Sequence, residues 1–398
     1  MKALILYPYP LEPDGVSIQG DMLRKGFIEA GVNTIPCHHQ DSLQKEYYLR
    51  HFKPDITIGI GFWGNVPDII REPMKWGVTP IPWFNADGWV ANYQHEFDQL
   101  KLMFTTSEWV RSIYKRDGVD VSKIVPMHIG IDTNLFKPQE DPELRLKLRR
   151  MLGVRDSEKM VLTMGGDVTS KGAQEMMRAL AEINKEFKEW RYVCKAWPSE
   201  CAHEWRGKEE ALAEELGIRN KIIFIDDAWS NEFMADMVNT CDIYAAPSRI
   251  EGFGMIQVEA MACGKPVISI DKGGPAETII HNKTGFLARS DQEIQLTEEW
   301  ATPGMGYSTK QIVKFDPPKT FGYRANIDDL KNYTMRLLTD PDLCSKMGEA
   351  GRQHAVDNFD YKVIARRMLN VIRERLGVGV NITNIKDDLS KISYDSNN

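Results

Sequence analysis

Two glutamates, Glu251 and Glu259, stand on either side of the glycine-marked stretch Gly252-Phe253-Gly254, and an apolar segment runs on from the second to Met261-Ala262-Cys263-Gly264-Lys265-Pro266-Val267-Ile268. A carboxylate accepts hydrogen bonds from two neighbouring hydroxyls, and such charge-assisted bonds are stronger than neutral ones. The pair therefore suits a polyol, with one carboxylate for a sugar and the other for a ribose. Gly252 and Gly254 let the backbone approach a ligand and leave amides open at a helix N-terminus, where the dipole favours negative charge. Two solvated helix-end glutamates are the plain alternative, and the wider pattern weighs against it. Gly165-Gly166 ends an apolar run, and Lys171-Gly172 opens a helical pattern through Met177 and Leu180. A lysine and free amides there can neutralise charge on a departing diphosphate. An ordinary surface lysine is the competing reading.

The elements that must hold these residues follow from periodicity. Asp242-Ile243-Tyr244-Ala245-Ala246-Pro247 reads as a short buried strand ended by proline, and Met255 to Ala262 as an amphipathic helix. Glu251 then lies in the loop before the helix and Glu259 about one turn inside it. Strand-then-helix units recur along the chain, which predicts parallel sheets covered by helices. In the first half the strands are 3–7, 56–61, 78–84, 102–105 and 124–127. Helices are expected over Gln19 to Ala30 and over Glu108 to Arg116, with Ser107 as cap of the latter. In the second half the strands are 160–164, 191–194, 222–225, 243–245 and 267–270. Open parallel sheets bind ligands at the carboxyl ends of their strands, where the motif residues fall.

At Glu251 to Glu259 the sequence resembles the E-x7-E signature of the retaining glycosyltransferases of family 4, the glycosyl-transferases group 1 superfamily. Further segments follow in the family's order: Lys123-Ile124-Val125-Pro126 running into Gly130-Ile131-Asp132 and Phe136-Lys137-Pro138, Gly165-Gly166 with Lys171-Gly172, Pro247-Ser248, and Gly273-Gly274-Pro275-Ala276-Glu277. The resemblance is close from about Ser107 to Leu287 and looser elsewhere. It implies the GT-B fold, an α/β architecture of two Rossmann-like parallel-sheet domains facing a cleft. It also implies an acceptor-side domain over 1–140, a connection over 141–157, and a nucleotide-sugar-binding domain over 158–358 with an insertion at about 291–326. A helix over 359–376 would return to the first domain, and a polar tail would occupy 377–398.

The resemblance further implies transfer of a hexosyl unit from a nucleotide-diphosphate sugar to a hydroxyl acceptor, with retention of anomeric configuration. Glu251 would hold the sugar hydroxyls, Glu259 the ribose diol and Lys171 the diphosphate, while Phe253, Gly254 and Met255 would line the donor site. No metal and no cofactor are expected beyond the donor substrate. Relatives usually carry Arg directly after the first glycine; Gly166 stands there in this chain, and Lys195 is the expected substitute. Asp14-Gly15 takes the place of the family's glycine-rich first loop, and the Gly15 amide would face the donor phosphate. Many relatives have a His after the strand matching Ile81-Pro82-Trp83-Phe84, where this chain reads Asn85-Ala86-Asp87-Gly88, so Asp87 or Asn85 is expected to take over the polar contact. Trp83, Phe84, Trp89, Tyr93, Phe62 and Trp63 gather near these strand ends and could stack on a glycan acceptor or pack the core.

A chain of 398 residues, 42% of them hydrophobic, can bury two cores. The net charge of -7 weighs against a nucleic-acid partner and against a polybasic membrane patch as the main use of the surface. Six cysteines with no C-x-x-C pair read as reduced thiols of a cytoplasmic protein. Cys194, Cys201 and His203 fit no common zinc spacing, and Asp340-Pro341-Asp342 is discounted as a metal motif. No leader and no membrane-spanning run is apparent, so membrane contact would be peripheral. The partners expected are a nucleotide sugar and a carbohydrate or lipid-linked acceptor. A GT-B epimerase or phosphorylase, a catalytically silent binding protein of the same fold, and a DNA-base glucosyltransferase are the competing readings.

Overall fold

The computed structural model describes residues 1–12, 14–86 and 88–378, and for 200–203 the backbone alone. The first sheet has six parallel strands, β1 (Lys2–Tyr7), β2 (Asn33–His38), β3 (Ile56–Phe62), β4 (Thr79–Asn85), β5 (Met103–Thr105) and β6 (Ile124–Pro126), in the order β2-β1-β3-β4-β5-β6. Interleaved are α1 (Gly15–Glu29), α2 (Ser42–His51), α3 (Glu72–Lys75), α4 (Gln94–Asp98) and α5 (Glu108–Arg116). Ala3 to Tyr7 are wholly buried, as expected for a strand covered on both faces.

After α6 (Pro142–Met151) the second sheet is formed by β7 (Lys159–Met164), β8 (Trp190–Ala196), β9 (Ile222–Asp226), β10 (Ile243–Ala245), β11 (Val267–Ile270) and β12 (Gly285–Ala288). Its helices are α7 (Ala173–Ile183), α8 (Glu200–Glu215), α9 (Asn231–Thr240), α10 (Met255–Ala262) and α11 (Pro275–Thr278). All its pairings are parallel, in the order β12-β11-β10-β7-β8-β9. That order reverses between β7 and β10, while in the first sheet the reversal falls between β1 and β3. Loops leaving neighbouring strands in opposite directions open a crevice at such a switch point. The loops after β1, β7 and β10 carry most of the candidate site, joined by residues at the ends of β3, β4 and β8.

The chain then forms β13 (Ser290–Ala301) and β14 (Gln311–Ala325), α12 (Ile327–Thr339), α13 (Pro341–Phe359) and α14 (Tyr361–Leu376). It crosses back to the first domain where Ile131 N–H donates to Phe359 O at 2.8 Å and Tyr361 N–H to Ile131 O at 3.0 Å. There α14 packs on α1, with Tyr361 bonded to Glu29. The tail from 379 onward lies outside the described residues.

Several elements depart from the sequence expectations. Helix α1 starts at Gly15 rather than Gln19, because the Asp14 side chain accepts from Val16 N–H at 2.8 Å and Ser17 N–H at 3.0 Å and caps it there. Strand β2 was not anticipated: it contains Pro36 and lies at the sheet edge, where a missing N–H is tolerated. Helix α10 is not amphipathic. Its polar residues Gln257 and Glu259 are buried, and Gln257 Nε2 donates to Ala246 O at 2.8 Å and Ser269 Oγ at 3.0 Å. The stretch 291–326 is a long antiparallel hairpin, β13 against β14, with register shifts along it. Asp340 caps α13 through Leu343 N–H.

Candidate functional site

A cleft of about 650 Å³ lies between the carboxyl ends of the two sheets. The first domain contributes Asp14, Gly15, Gly61 and Asn85; the second contributes Gly166, Lys171, Lys195, Glu251, Phe253, Gly254, Met255 and Glu259. The candidate residues named from sequence therefore converge on one cavity, with Asp87 excepted because it falls outside the described residues.

Glu251 sits in the loop after β10 as anticipated. One carboxylate oxygen is 2.6 Å from Lys171 Nζ, and the other accepts the Gly254 N–H at 3.1 Å. The lysine reaches it from the Gly172 turn, where φ is 83° and a β-carbon would meet Pro247 O at 2.3 Å. Only glycine fits there, so the tight turn fixes where Lys171 begins. Gly254 has φ 91° and is the N-cap of α10. The two residues assigned separately to sugar and diphosphate form a single ion pair on the cleft floor.

Glu259, 5% exposed, lines the same cavity, and burial raises its carboxyl to about 8. It thus stands largely protonated at neutral pH, unlike an ordinary glutamate. Beneath it Tyr244 donates to Met164 O at 3.2 Å and closes the floor.

Lys195 is paired across the ladder with Met164, and its carbonyl accepts the Gly165 N–H at 3.1 Å, so it adjoins Gly166. Its ammonium lies 5.3 Å from the Trp197 ring and 5.1 Å from the Trp229 ring, and burial lowers its pKa against the opposing pull of Asp227. Trp197, Trp229, Asn231 and Met234 also line the cavity. Sequence reasoning did not name them, although Trp197 directly follows β8 and Trp229 stands three residues past the end of β9, which was the available signal.

Asn85 closes the site from the first domain. Its Oδ1 accepts from Thr106 Oγ1 at 3.2 Å, its carbonyl from Tyr114 at 3.2 Å, and its side chain packs on Gly252 so closely that a β-carbon there would fall 2.1 Å from Oδ1. The aromatic platform is not where the sequence allowed it. Trp63, Trp83, Phe84, Trp89 and Tyr93 are buried in the core, and neither they nor Phe62 line the cleft. Trp63, Phe84, Trp89 and Tyr93 share one buried cluster that Leu296, Met305 and Phe315 of the hairpin pack against, and Trp83 lies in the core on β4. Among the described residues no cluster of metal-ligating side chains occurs; Cys201 and His203 lie outside the described side chains. No helix among them is long and apolar enough to cross a membrane.

Comparison with known proteins agrees with this arrangement. The sequence model described as Glycosyl transferases group 1 matches residues 145–301. A D-inositol 3-phosphate glycosyltransferase of Mycolicibacterium gilvum is 28% identical over 303 residues, covering 76% of this chain and 63% of that protein. A GDP-mannose-dependent alpha-(1-6)-phosphatidylinositol monomannoside mannosyltransferase of Mycolicibacterium smegmatis is 24% identical over 253 residues, 62% of this chain and 55% of that protein. The chain thus spans less than two thirds of the length of these curated relatives. Among solved structures, Anabaena Alr3699/HepE in complex with UDP and glucose superposes with TM-score 0.71 at 16% identity, over 94% of this chain and all of that one. Sucrose-phosphate synthase of Thermosynechococcus elongatus gives 0.72 at 17% identity over 95% of this chain. Residues 145–301 are a glycosyl transferases group 1 domain, set in a chain with the two-domain GT-B fold.

Proposed function

We propose that this protein is a retaining glycosyltransferase that moves a hexosyl unit from a nucleotide-diphosphate sugar to a hydroxyl of a glycan, glycolipid or small glycoside. The observation that carries the proposal is the convergence of Glu251, Lys171 and Glu259 in one interdomain cleft, within the segment that matches the group 1 family. In the reaction the bond from the anomeric carbon to the diphosphate oxygen breaks, and a bond to the acceptor oxygen forms on the same face. The acceptor proton passes to the departing phosphate oxygen. Charge grows on the diphosphate, so a fixed cation and amides aimed there lower the barrier. Lys171 supplies the cation, while Gly166 and Gly15 offer unencumbered backbone, a β-carbon at Gly166 meeting nothing within 4 Å. Lys195, beside Gly166, stands in for the family's arginine. Glu251 orients sugar hydroxyls, and Glu259, protonated at neutral pH, binds the ribose diol by accepting from one hydroxyl and donating its own O–H to the other.

The reaction needs no metal in this reading, because the lysines carry the positive charge. The acceptor enters from the first domain past Asn85, and the compartment proposed is the cytoplasm. The relatives named for inositol phosphate and mannose, and the structure solved with UDP and glucose, put UDP- and GDP-sugars first among donors to try.

A thermal-shift panel of UDP, GDP, ADP and dTDP with their sugar conjugates tests this on wild type, Glu259→Ala and Lys195→Ala. Ligands that bind the native state raise Tm by mass action. One nucleotide series is expected to stabilise wild type and to lose its effect in both variants. No stabilisation of wild type by any series would favour the silent binding fold, and unchanged shifts in Lys195→Ala would remove that lysine from the donor site.

A further inference from the structure

The hairpin β13–β14 springs from the second domain, and its body lies on the first. At its base, Tyr323 N–H donates to Arg249 O at 2.7 Å, and Gly322 approaches the same carbonyl so closely that a β-carbon would lie 2.5 Å from it. Arg324 and Arg249 share the buried carboxylate of Glu175 at 2.6 and 2.9 Å. The hairpin root is thereby tied to the segment that leads into Glu251, two residues on.

Its far half reaches the first domain just beyond Asn85. Phe315 packs edge-on against Trp89 with centroids 5.0 Å apart, and Leu296 and Met305 join the same buried cluster. Lys319 is 2.7 Å from Asp117, whose carboxylate is 1% exposed. Burial alone would raise the Asp117 pKa, but hydrogen bonds from Arg116, Lys319 and the Val90 N–H outweigh it and hold the carboxyl below its ordinary value. Arg116 also donates to Thr320 O at 3.0 Å. These contacts combine apolar burial with a desolvated, paired charge, the mixture that marks a specific interface rather than a loose loop.

We propose that the hairpin is an interdomain strap: it holds the Glu251 loop and the loop after Asn85 in register across the cleft, so that the two domains rest closed before any substrate arrives. Interfaces between domains of a chain are ordinarily small and permit relative motion by default. A covalently tethered second arm removes that freedom at little entropic cost, because its root is already fixed in the partner domain. The proposal is independent of which reaction the cleft performs.

Spin labels at Lys101 in the first domain and Glu214 in the second, both exposed, read the domain separation by pulsed dipolar spectroscopy. Cys37, Cys194, Cys241 and Cys263 are buried, so only Cys201 and Cys344 need replacement by serine. Ligand-free protein carrying otherwise native residues is expected to give one narrow distance. Phe315→Asp should add a longer, broader population, whereas Lys314→Glu on the exposed face should not. A second variant replaces 291–324 by two glycines; the ends already pair, Ser290 opposite Ala325, with Asn326 N–H on Arg289 O at 2.8 Å. It carries the test if Phe315→Asp fails to fold. A broad distribution in the native hairpin, or a narrow unchanged distance after its removal, would overturn the strap.

Discussion

Placing Glu259 at 5% exposure beside the cleft makes its charge costly, and the carboxyl is held near 8 by burial. The folded state then binds more protons than the unfolded one between the ordinary glutamate value and about 8. Below that window both states are protonated and there is no penalty; through it, rising pH favours the unfolded chain, and above it the penalty is constant. Glu259→Gln should therefore match wild type in stability near pH 4 and exceed it at pH 8 by roughly 4 kcal/mol. Urea titrations at the two pH values check this, and equal gains at both would sink it. Lys171→Met leaves the Glu251 carboxylate with the Gly254 amide and takes a cation from the position proposed for the diphosphate. Donor affinity measured by calorimetry should fall at least tenfold, about 1.4 kcal/mol, while Tm moves little because the pair is partly exposed.

Among the elements, α10 depends on its first turn. Gly254→Ala would force an L-residue to φ 91° and set a β-carbon 2.5 Å from Gln257 Oε1. Gln257 cannot simply swing aside, since its amide is bonded to Ala246 and Ser269. A loss of roughly 2–3 kcal/mol is expected, measurable by chemical denaturation, with donor binding weakened because Glu251 and Glu259 stand at the two ends of that turn. Helix α10 itself was readable in the sequence because its ends are marked by glycines; its burial was not, since a one-turn alternation of polar and apolar residues looks the same whether the polar ones face water or internal carbonyls. Strand β2 escaped for a related reason: a proline and a mixed pattern suit an edge position, and edges are defined only once the sheet is assembled.

At the scale of the molecule a further tie spans the domains. Glu277, in the second domain, accepts the N–H groups of Glu108 at 3.0 Å and Trp109 at 2.8 Å at the start of α5, and lies 3.2 Å from His128 Nε2. Glu277→Ala removes the acceptor for two helix-terminal amides, a loss of about 1–2 kcal/mol. Hydrogen exchange at Glu108 and Trp109 should quicken by about tenfold while the core strands stay protected. Unchanged exchange at those amides would mean the cap does not hold the domains. What the sequence determined by itself was local: the paired glutamates, the lysine at the Gly172 turn, the strand-then-helix rhythm and the glycine turns, because these rest on spacing along the chain. Only tertiary structure decided that Lys171 pairs with Glu251, that Glu259 is buried enough to keep its proton, that the aromatics of the first domain are core, and that the hairpin within 290–325 packs on the first domain. Each of those depends on which residues distant in sequence become neighbours, and burial and charge pairing take their magnitude from those neighbours alone.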